Sequence, residues 1–313
     1  MNCLCCGKIL TNNEISGWHK KCLKNFFKTD VLPEIDISDK EIKRIVDETI
    51  NKGFTITGVQ KKLSIHLSKE GYPRLTIVNY PFGYILKPQV DTFIALPESE
   101  HLAMSMAEEC GISTVPHALI LNEGKYVYIT KRIDRIIDKK IVKALAMEDF
   151  CQLDLRLTKD KYKGSYERCS KIIKKYSCRE MYDLSELFLR LLFCYVIWNS
   201  DMHLKNFSLI ETYEKSGEYV LSPAYDLLPL NIIMPEDTEE TALTLNGKKK
   251  NLHKEDFLIF AENCGISNIA AEKMIEKIKS KENKLIEMCN ESLMPDNLKS
   301  NLAQLIHNRC SKL

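Results

Sequence analysis

The apolar residues of this chain change their period partway along, and that change constrains the fold class more than any other feature. From Phe54 they alternate at strand spacing in "FTITGVQKKLSIHL", then in "RLTIV" after a turn near "KEGYP", then in "YILKP". "HALIL" and "YVYITKRID" around the turn "NEGK" read as a further hairpin. From about Lys143 onward the spacing is helical: an apolar helix around Leu184 to Trp198, one hairpin, and amphipathic helices from roughly Lys254 to the end. Helices also punctuate the strand-rich half. "SDKEIKRIVDETINKG" opens with a capping box, Ser38 with Glu41, carries Ile42, Ile45, Val46 and Ile50 on one face, and stops at Gly53. Glu98 to Cys110 sets Leu102, Ala103, Met106, Ala107 and Cys110 at helical spacing, with Gly111 as its stop. Strands first and helices second, in 313 residues, predict two lobes of α+β type.

Charge narrows the partners. Lys+Arg 45 against Asp+Glu 43 leaves a net +2, so no global field favours nucleic acid or an anionic membrane, and any anion must be handled locally. The greasiest stretch, Leu187 to Trp198, carries Arg190 and is too short to span a bilayer, and Met1 to Leu10 lacks the pattern of a signal peptide. A soluble, cytoplasmic protein is expected, without membrane attachment. Most of the 12 cysteines, such as Cys151 and Cys194, sit singly in apolar surroundings and read as reduced core residues. The N-terminus differs. Cys3 and Cys6 form C-x-x-C, and His19 and Cys22 form H-x-x-C, a four-ligand spacing suited to structural Zn²⁺. Against zinc stands a cysteine-rich terminus that binds nothing, and Cys5 is a competing ligand.

The segment "WNSDMHLKNFSLI", Trp198 to Ile210, breaks an apolar run with Asp201, His203, Lys205 and Asn206. Taken alone, Asp201 and Asn206 are ordinary turn formers, Lys87 an ordinary strand lysine and Gly58 an ordinary bulge. Their order is what carries chemistry. Phosphoryl transfer to a hydroxyl needs a backbone loop over the phosphates, a strand lysine, a carboxylate holding it, a base for the hydroxyl and oxygen ligands for Mg²⁺. Gly58, Lys87 in "YILKP", Glu100 in the next helix, Asp201, Asn206 and Asp226 supply these in sequence. Four residues separate Asp201 from Asn206, as in the catalytic loop of protein kinases. Asp201 would orient and deprotonate the attacking hydroxyl, Lys205 would neutralise moving charge, and Asn206 and Asp226 would hold Mg²⁺. "YVYITKRID" would be the hinge strand.

The segments "GVQKKLS", "YILKP", "ESEHLAMSMAEECGI", "KRIDR", "EDFCQL", "NSDMHLKNFSL" and "PAYDLL" together resemble the HipA family of bacterial serine/threonine kinases, toxins of toxin–antitoxin systems. The resemblance runs from about Thr55 to the C-terminal helices. It implies a bilobal protein-kinase-like (HipA-like) α+β fold, here with a small N-terminal Cys/His ribbon. The corresponding divisions are a zinc-ribbon-like segment over 1–30, an N-lobe over 31–135 and a helical C-lobe over 136–313. It further implies Asp201 as catalytic aspartate, Asn206 and Asp226 as Mg²⁺ ligands, and Lys87 on the ATP phosphates. Nucleotide contacts are implied from Thr57, Gly58, Val59, Gln60, Lys61 and Lys62, from Lys131, Arg132 and Ile133 at the hinge, and from His203. Family targets include aminoacyl-tRNA synthetases.

The chain departs from full-length HipA before Phe54, where only the Cys/His ribbon and one helix stand in place of a larger subdomain. That resembles the shorter HipT-type kinases of three-gene systems, whose missing subdomain is a separate small protein. A HipS-like small protein and a HipB-like DNA-binding protein are then the expected antitoxins. Direct DNA binding would need a helix-turn-helix, and none is evident. Thr55 and Thr57 share a strand face just before Gly58, where HipA-type kinases autophosphorylate hydroxyl residues; by propensity alone they are simply good strand residues. Two rival functions keep the same fold: a kinase for a small molecule or lipid headgroup, and an inactive kinase-like scaffold with a zinc ribbon. The lysines of "NGKKKN", Lys248 to Lys250, read either as a solvated loop or as a docking surface for tRNA or an acidic partner.

Overall fold

The computed structural model describes residues 2–11, 14, 17–35, 62–69, 71–76, 83–138 and 141–313. The expected helix over Ser38 to Gly53 and the strand residues Phe54 to Lys61, with Thr55 and Thr57, lie outside the described residues. Two compact units are present: Met1–His101 with Val115–Val142, and Leu102–Thr114 with Lys143–Leu313.

The first unit is built on a six-stranded sheet of β1 (Glu34–Ile35), β2 (Leu63–Ser68), β3 (Arg74–Thr76), β4 (Tyr84–Pro88), β5 (His117–Asn122) and β6 (Lys125–Lys131). Its order is β1-β3-β2-β4-β6-β5, antiparallel except for the β1–β3 pair. In β2 the buried Leu63 and Ile65 flank the exposed Ser64, and they pair with Leu86 and Tyr84, which fixes the register by apolar contact. The β5–β6 hairpin closes at Asn122↔Lys125 through Glu123 (φ 47) and Gly124 (φ 78), the doubly left-handed turn that matches strand twist. Strand β4 is interior, so Lys87 stands in the middle of the sheet opposite Tyr128. Trp18 packs on Phe26 and Phe27, and these on Tyr84, whose hydroxyl donates to the Phe26 carbonyl at 3.1 Å.

Helix Leu96–Glu109 ends where the sequence puts a stop. Gly111, at φ 82, donates to the Glu108 carbonyl, and Ile112 donates to Ala107. The second half of this helix belongs with the second unit, whereas sequence places it inside the 31–135 region. Lys281 with Glu109 (2.8 Å) and the Ser113 amide with Glu186 (3.2 Å) account for that allegiance.

The second unit contains helices Tyr166–Tyr176, Glu180–Val196, Lys254–Cys264, Asn268–Lys279, Glu282–Glu291 and Asp296–Cys310. Glu180–Val196 is apolar nearly all round and accordingly buried from Leu187 to Val196. Even Arg190 is 1% exposed: it pairs with Glu186 at 3.0 Å and donates to the Ser222 carbonyl at 2.7 Å. Sequence expects helices from Lys143 and a two-stranded hairpin; the structure instead begins this region with β8 (Ile141–Ala144), paired to β7 (Arg135–Asp138), and β9 (Met147–Asp149). Strand β9 joins β10 (Ser208–Glu211) and β11 (Tyr219–Leu221) in the order β11-β10-β9. At three residues β9 is too short to show a period, and its partner β10 lies far along the chain. All 12 cysteines are free, and burial pushes the Cys110 and Cys194 thiols up to about 12. Among the described residues no helix is long and apolar enough to cross a membrane.

A buried histidine pair gives the first unit a pH signature. His101 Nδ1 lies 2.9 Å from His117 Nδ1, and burial, with the second ring beside it, holds His101 well below the ordinary histidine value. The unfolded chain therefore takes up a proton near pH 6.5 that the folded chain refuses, so stability is complete above that pH and falls below it. Urea unfolding at pH 7.5 and 5.5 is expected to show about 1 kcal/mol more acid destabilisation in the wild type than in His101→Gln. Equal pH dependence in the two proteins would contradict this account.

Candidate active site

In the second unit the polar loop after helix Glu180–Val196 is folded on itself. Trp198 leaves the helix at φ 53, a left-handed conformation unusual for a bulky residue. It is held there by its indole N–H on the Glu239 carbonyl (2.7 Å) and by the Arg309 guanidinium stacked 3.6 Å above its ring. Arg309 also lies 2.9 Å from Glu240. The Asp201 amide then donates to Asn199 Oδ1 (3.2 Å), the His203 amide to the Asp201 carbonyl (2.8 Å), and Asn206 Nδ2 to that same carbonyl (2.8 Å). With its amide nitrogen committed, Asn206 keeps Oδ1 as the end able to coordinate a cation.

Asp201 faces Tyr162, whose hydroxyl donates to Oδ1 at 2.5 Å, and His203 Nε2 is 3.9 Å from the same oxygen. Burial raises the Asp201 carboxyl above its ordinary value, against the lowering effect of the Tyr162 hydrogen bond and the Lys161 charge; Asp226 and Asp237 add to the rise. Burial pulls His203 down to about 3, so its ring is neutral at physiological pH, and its Nδ1 is buried without a hydrogen-bond partner. Lys205 reaches back to Asp149 (2.5 Å), the N-cap of the short helix Phe150–Leu153. Tyr225 closes the other side, donating to the Lys205 carbonyl at 3.0 Å and lying 2.5 Å from Ser208 Oγ. The next residue, Asp226, has φ 56, a left-handed conformation that aspartate tolerates better than most residues. The segment before it is anchored by the Ala224 amide on the Ser113 carbonyl (2.7 Å) and by Arg190 on Ser222.

The structure thus brings Asp201, His203, Lys205 and Asn206 into one hydrogen-bonded loop. Sequence reasoning did not find Tyr162, Asp149 or Tyr225 as members of this network. Asp149 and Tyr225 lie inside the quoted motifs "EDFCQL" and "PAYDLL", but Tyr162, in "KDKYKG", carries no periodic signal. The lysines of "NGKKKN" are engaged: Lys248 with Asp256 (2.8 Å), Lys249 with Glu239 (3.1 Å) and Lys250 with the Thr238 hydroxyl (2.5 Å), which favours the loop reading over a docking surface.

In the first unit, Lys87 Nζ is 2.6 Å from Glu100 Oε1, and both residues are buried. Arg132 and Arg135 both converge on Asp134, Arg132 in a two-point contact at 2.9 and 2.6 Å. Lys131 is half-buried, its pKa lowered by burial and by the charges of Lys28 and Lys69, and Lys62 is exposed. Thr57, Gly58, Val59, Gln60 and Lys61 lie outside the described residues. The ligand atoms of Cys3, Cys6, His19 and Cys22 all lie within 4.8 Å of one another; Cys5 is not among them.

The profile of the HipA-like C-terminal domain matches residues 54–285. A Haemophilus influenzae protein named "Putative kinase" is 29% identical over 84% of this chain and 82% of its own length. A Sinorhizobium fredii protein, "Putative kinase Y4dM", is 30% identical over 68% of this chain, which spans 54% of that relative. Among solved structures, HipA of Shewanella oneidensis MR-1, in a toxin–antitoxin complex with HipB and operator DNA, superposes with a TM-score of 0.70 at 16% identity, over 90% of this chain and 72% of that one. The proinflammatory kinase CtkA of Helicobacter pylori gives 0.55 at 17% identity, over 75% and 90%. These similarities bear out the α+β HipA-like, kinase-like fold, and the Cys/His cluster precedes the residues that the family match covers.

The Lys87–Glu100 pair has a measurable consequence for stability. Glu100→Gln removes the carboxylate charge 2.6 Å from the buried Lys87 ammonium, and an unfolding free energy lower by about 3 kcal/mol is expected from urea titration. Wild-type stability in that variant would show that the pair is not buried as described.

Proposed function

The chain belongs to the family of the HipA-like C-terminal domain, and from that membership we propose that it is an ATP-dependent protein serine/threonine kinase, the toxin of a HipA-type system of the HipBST kind. The observation that carries the chemistry is the Asp201–Asn206 loop, in which one backbone carbonyl, that of Asp201, orients both the histidine and the asparagine. Asp201, its carboxyl raised by burial toward the range useful to a base, accepts the proton of the target hydroxyl as the oxygen bonds to the γ-phosphorus of ATP and ADP departs. Asn206 Oδ1 and the Asp226 carboxylate are hard oxygen donors that fit Mg²⁺. When bound, that ion offsets negative charge on the phosphates. Lys205, paired with Asp149, is the cation proposed to neutralise charge moving with the phosphoryl group.

Lys87, oriented by Glu100, meets the ATP phosphates in this reading, with nucleotide contacts from Thr57 to Lys62, from Lys131 to Ile133 and from His203. The protein target is a translation component such as an aminoacyl-tRNA synthetase. The cognate partners are a small HipS-like protein and a HipB-like DNA-binding protein; the second has a counterpart in the HipB of the Shewanella complex. Thr55 and Thr57 are proposed autophosphorylation sites, where close to two negative charges would oppose ATP binding.

Asp201→Asn keeps the shape of the loop and removes the base, so transfer from labelled ATP is expected to fall by roughly two orders of magnitude or more while ATP still binds. Full activity in that variant would sink the assignment. In Asp226→Ala, calorimetry should find weaker binding of ATP with Mg²⁺ than in the wild type and little change without it. Mass spectrometry of ATP-treated protein should find phosphate on Thr55, Thr57 or both, and none after the Asp201→Asn change. Unmodified threonines in a preparation that phosphorylates its target would end the self-control proposal alone.

A further inference from the structure

We propose that Cys3, Cys6, His19 and Cys22 bind one Zn²⁺ in a closed site that staples the N-terminal knuckle to the outer edge of the six-stranded sheet. The inference stands apart from the kinase reading, because it uses no residue of the phosphoryl-transfer machinery. Two chain segments supply the ligands. Cys3 and Cys6 flank a tight turn closed by the Gly7 amide on the Cys3 carbonyl (2.9 Å), with Gly7 at φ 68. His19 caps helix Lys20–Phe26 from outside and Cys22 lies in its first turn. Ligand atoms within 4.8 Å of one another are near enough to close around one tetrahedral ion.

The histidine is oriented by a second contact. His19 Nε2 donates to the Ile9 carbonyl at 3.1 Å, which leaves Nδ1 as the basic nitrogen, 3.3 Å from Cys6 Sγ and 3.9 Å from Cys22 Sγ. Cys3 Sγ accepts the His19 backbone amide at 3.4 Å, the kind of contact that stabilises a ligating thiolate. Three sulfurs and one imidazole select a borderline-soft ion over Mg²⁺ or Ca²⁺. Four protein ligands leave no open position, so the ion is structural and not catalytic.

What the ion would hold together is visible in the neighbouring backbone. Leu4, between the first two cysteines and 2% exposed, donates to the Gly17 carbonyl (2.9 Å) and accepts the Leu119 amide (2.8 Å). Leu119 belongs to β5, the last strand of the sheet, so the knuckle covers an edge that would otherwise offer unpaired backbone groups. Trp18, beside His19 and 1% exposed, carries the attachment into the Phe26–Phe27–Tyr84 cluster and thus to β4. Loss of the ion should loosen the knuckle and then β5, before the helices of the second unit.

The test uses the full chain, purified without added metal. Elemental analysis should give about one zinc per chain. Exchange with Co²⁺ should produce the visible and thiolate charge-transfer absorption of a tetrahedral sulfur-rich site. Cys6→Ser combined with Cys22→Ser should lose the zinc, whereas Cys178→Ser, at an exposed cysteine elsewhere, should keep it. On chelation, protection of the Leu119 amide from hydrogen exchange should fall about tenfold or more. Protein that is folded yet metal-free, iron in place of zinc, zinc undiminished in the double variant, or an octahedral cobalt spectrum would each overturn the proposal. Should the double variant fail to fold, the cobalt spectrum of the wild type decides.

Discussion

A polar loop inside an apolar shell must satisfy most of its own groups, and the Asp201–Asn206 segment is organised by that requirement, with His203 Nδ1 the exception. The Asp201 carbonyl receives both the His203 amide and the Asn206 carboxamide, and the Lys205 carbonyl receives Tyr225. Each bond removes a desolvation cost, and those from Asn206 and Tyr225 fix a side chain at the same time. The buried residues within and just after the loop, Met202, Leu204 and Phe207, make an unpaired donor there costly.

The surroundings extend that constraint. Trp198 and Asp226 both adopt left-handed backbone conformations, and each is flanked by a buried arginine contact: Arg309 on the Trp198 ring, Arg190 on the Ser222 carbonyl. Both arginines come from helices, so rigid elements hold the strained positions. In the first unit the corresponding device is the Lys87–Glu100 pair, an ammonium in the middle of a sheet held by a carboxylate from the following helix.

Much of this was legible in the sequence because it depends on local period and local spacing. The alternation of "YILKP", the turn "NEGK" and the helix stop at Gly111 are decided by residues within a few positions of one another, and the structure has them where the pattern points. The HipA-like motifs were likewise short and ordered. What sequence did not reveal depends on distant partners. Strand β9 exists because Glu148 and Asp149 meet β10, some sixty residues on, and no three-residue segment announces that pairing. Tyr162 is invisible for the same reason: an isolated tyrosine between lysines and glycine becomes a neighbour of Asp201 only through the fold. The Cys/His group was readable as spacing, but its bond to the edge of β5 was not.

The account is tested most directly by a crystal structure of the chain with a non-hydrolysable ATP analogue and Mg²⁺. It predicts a metal ion coordinated at about 2.1 Å by the Asp226 carboxylate and Asn206 Oδ1, with the Asp201 carboxylate left uncoordinated. Nucleotide bound with neither Asn206 nor Asp226 on the metal, or with Asp201 as a metal ligand, would contradict it.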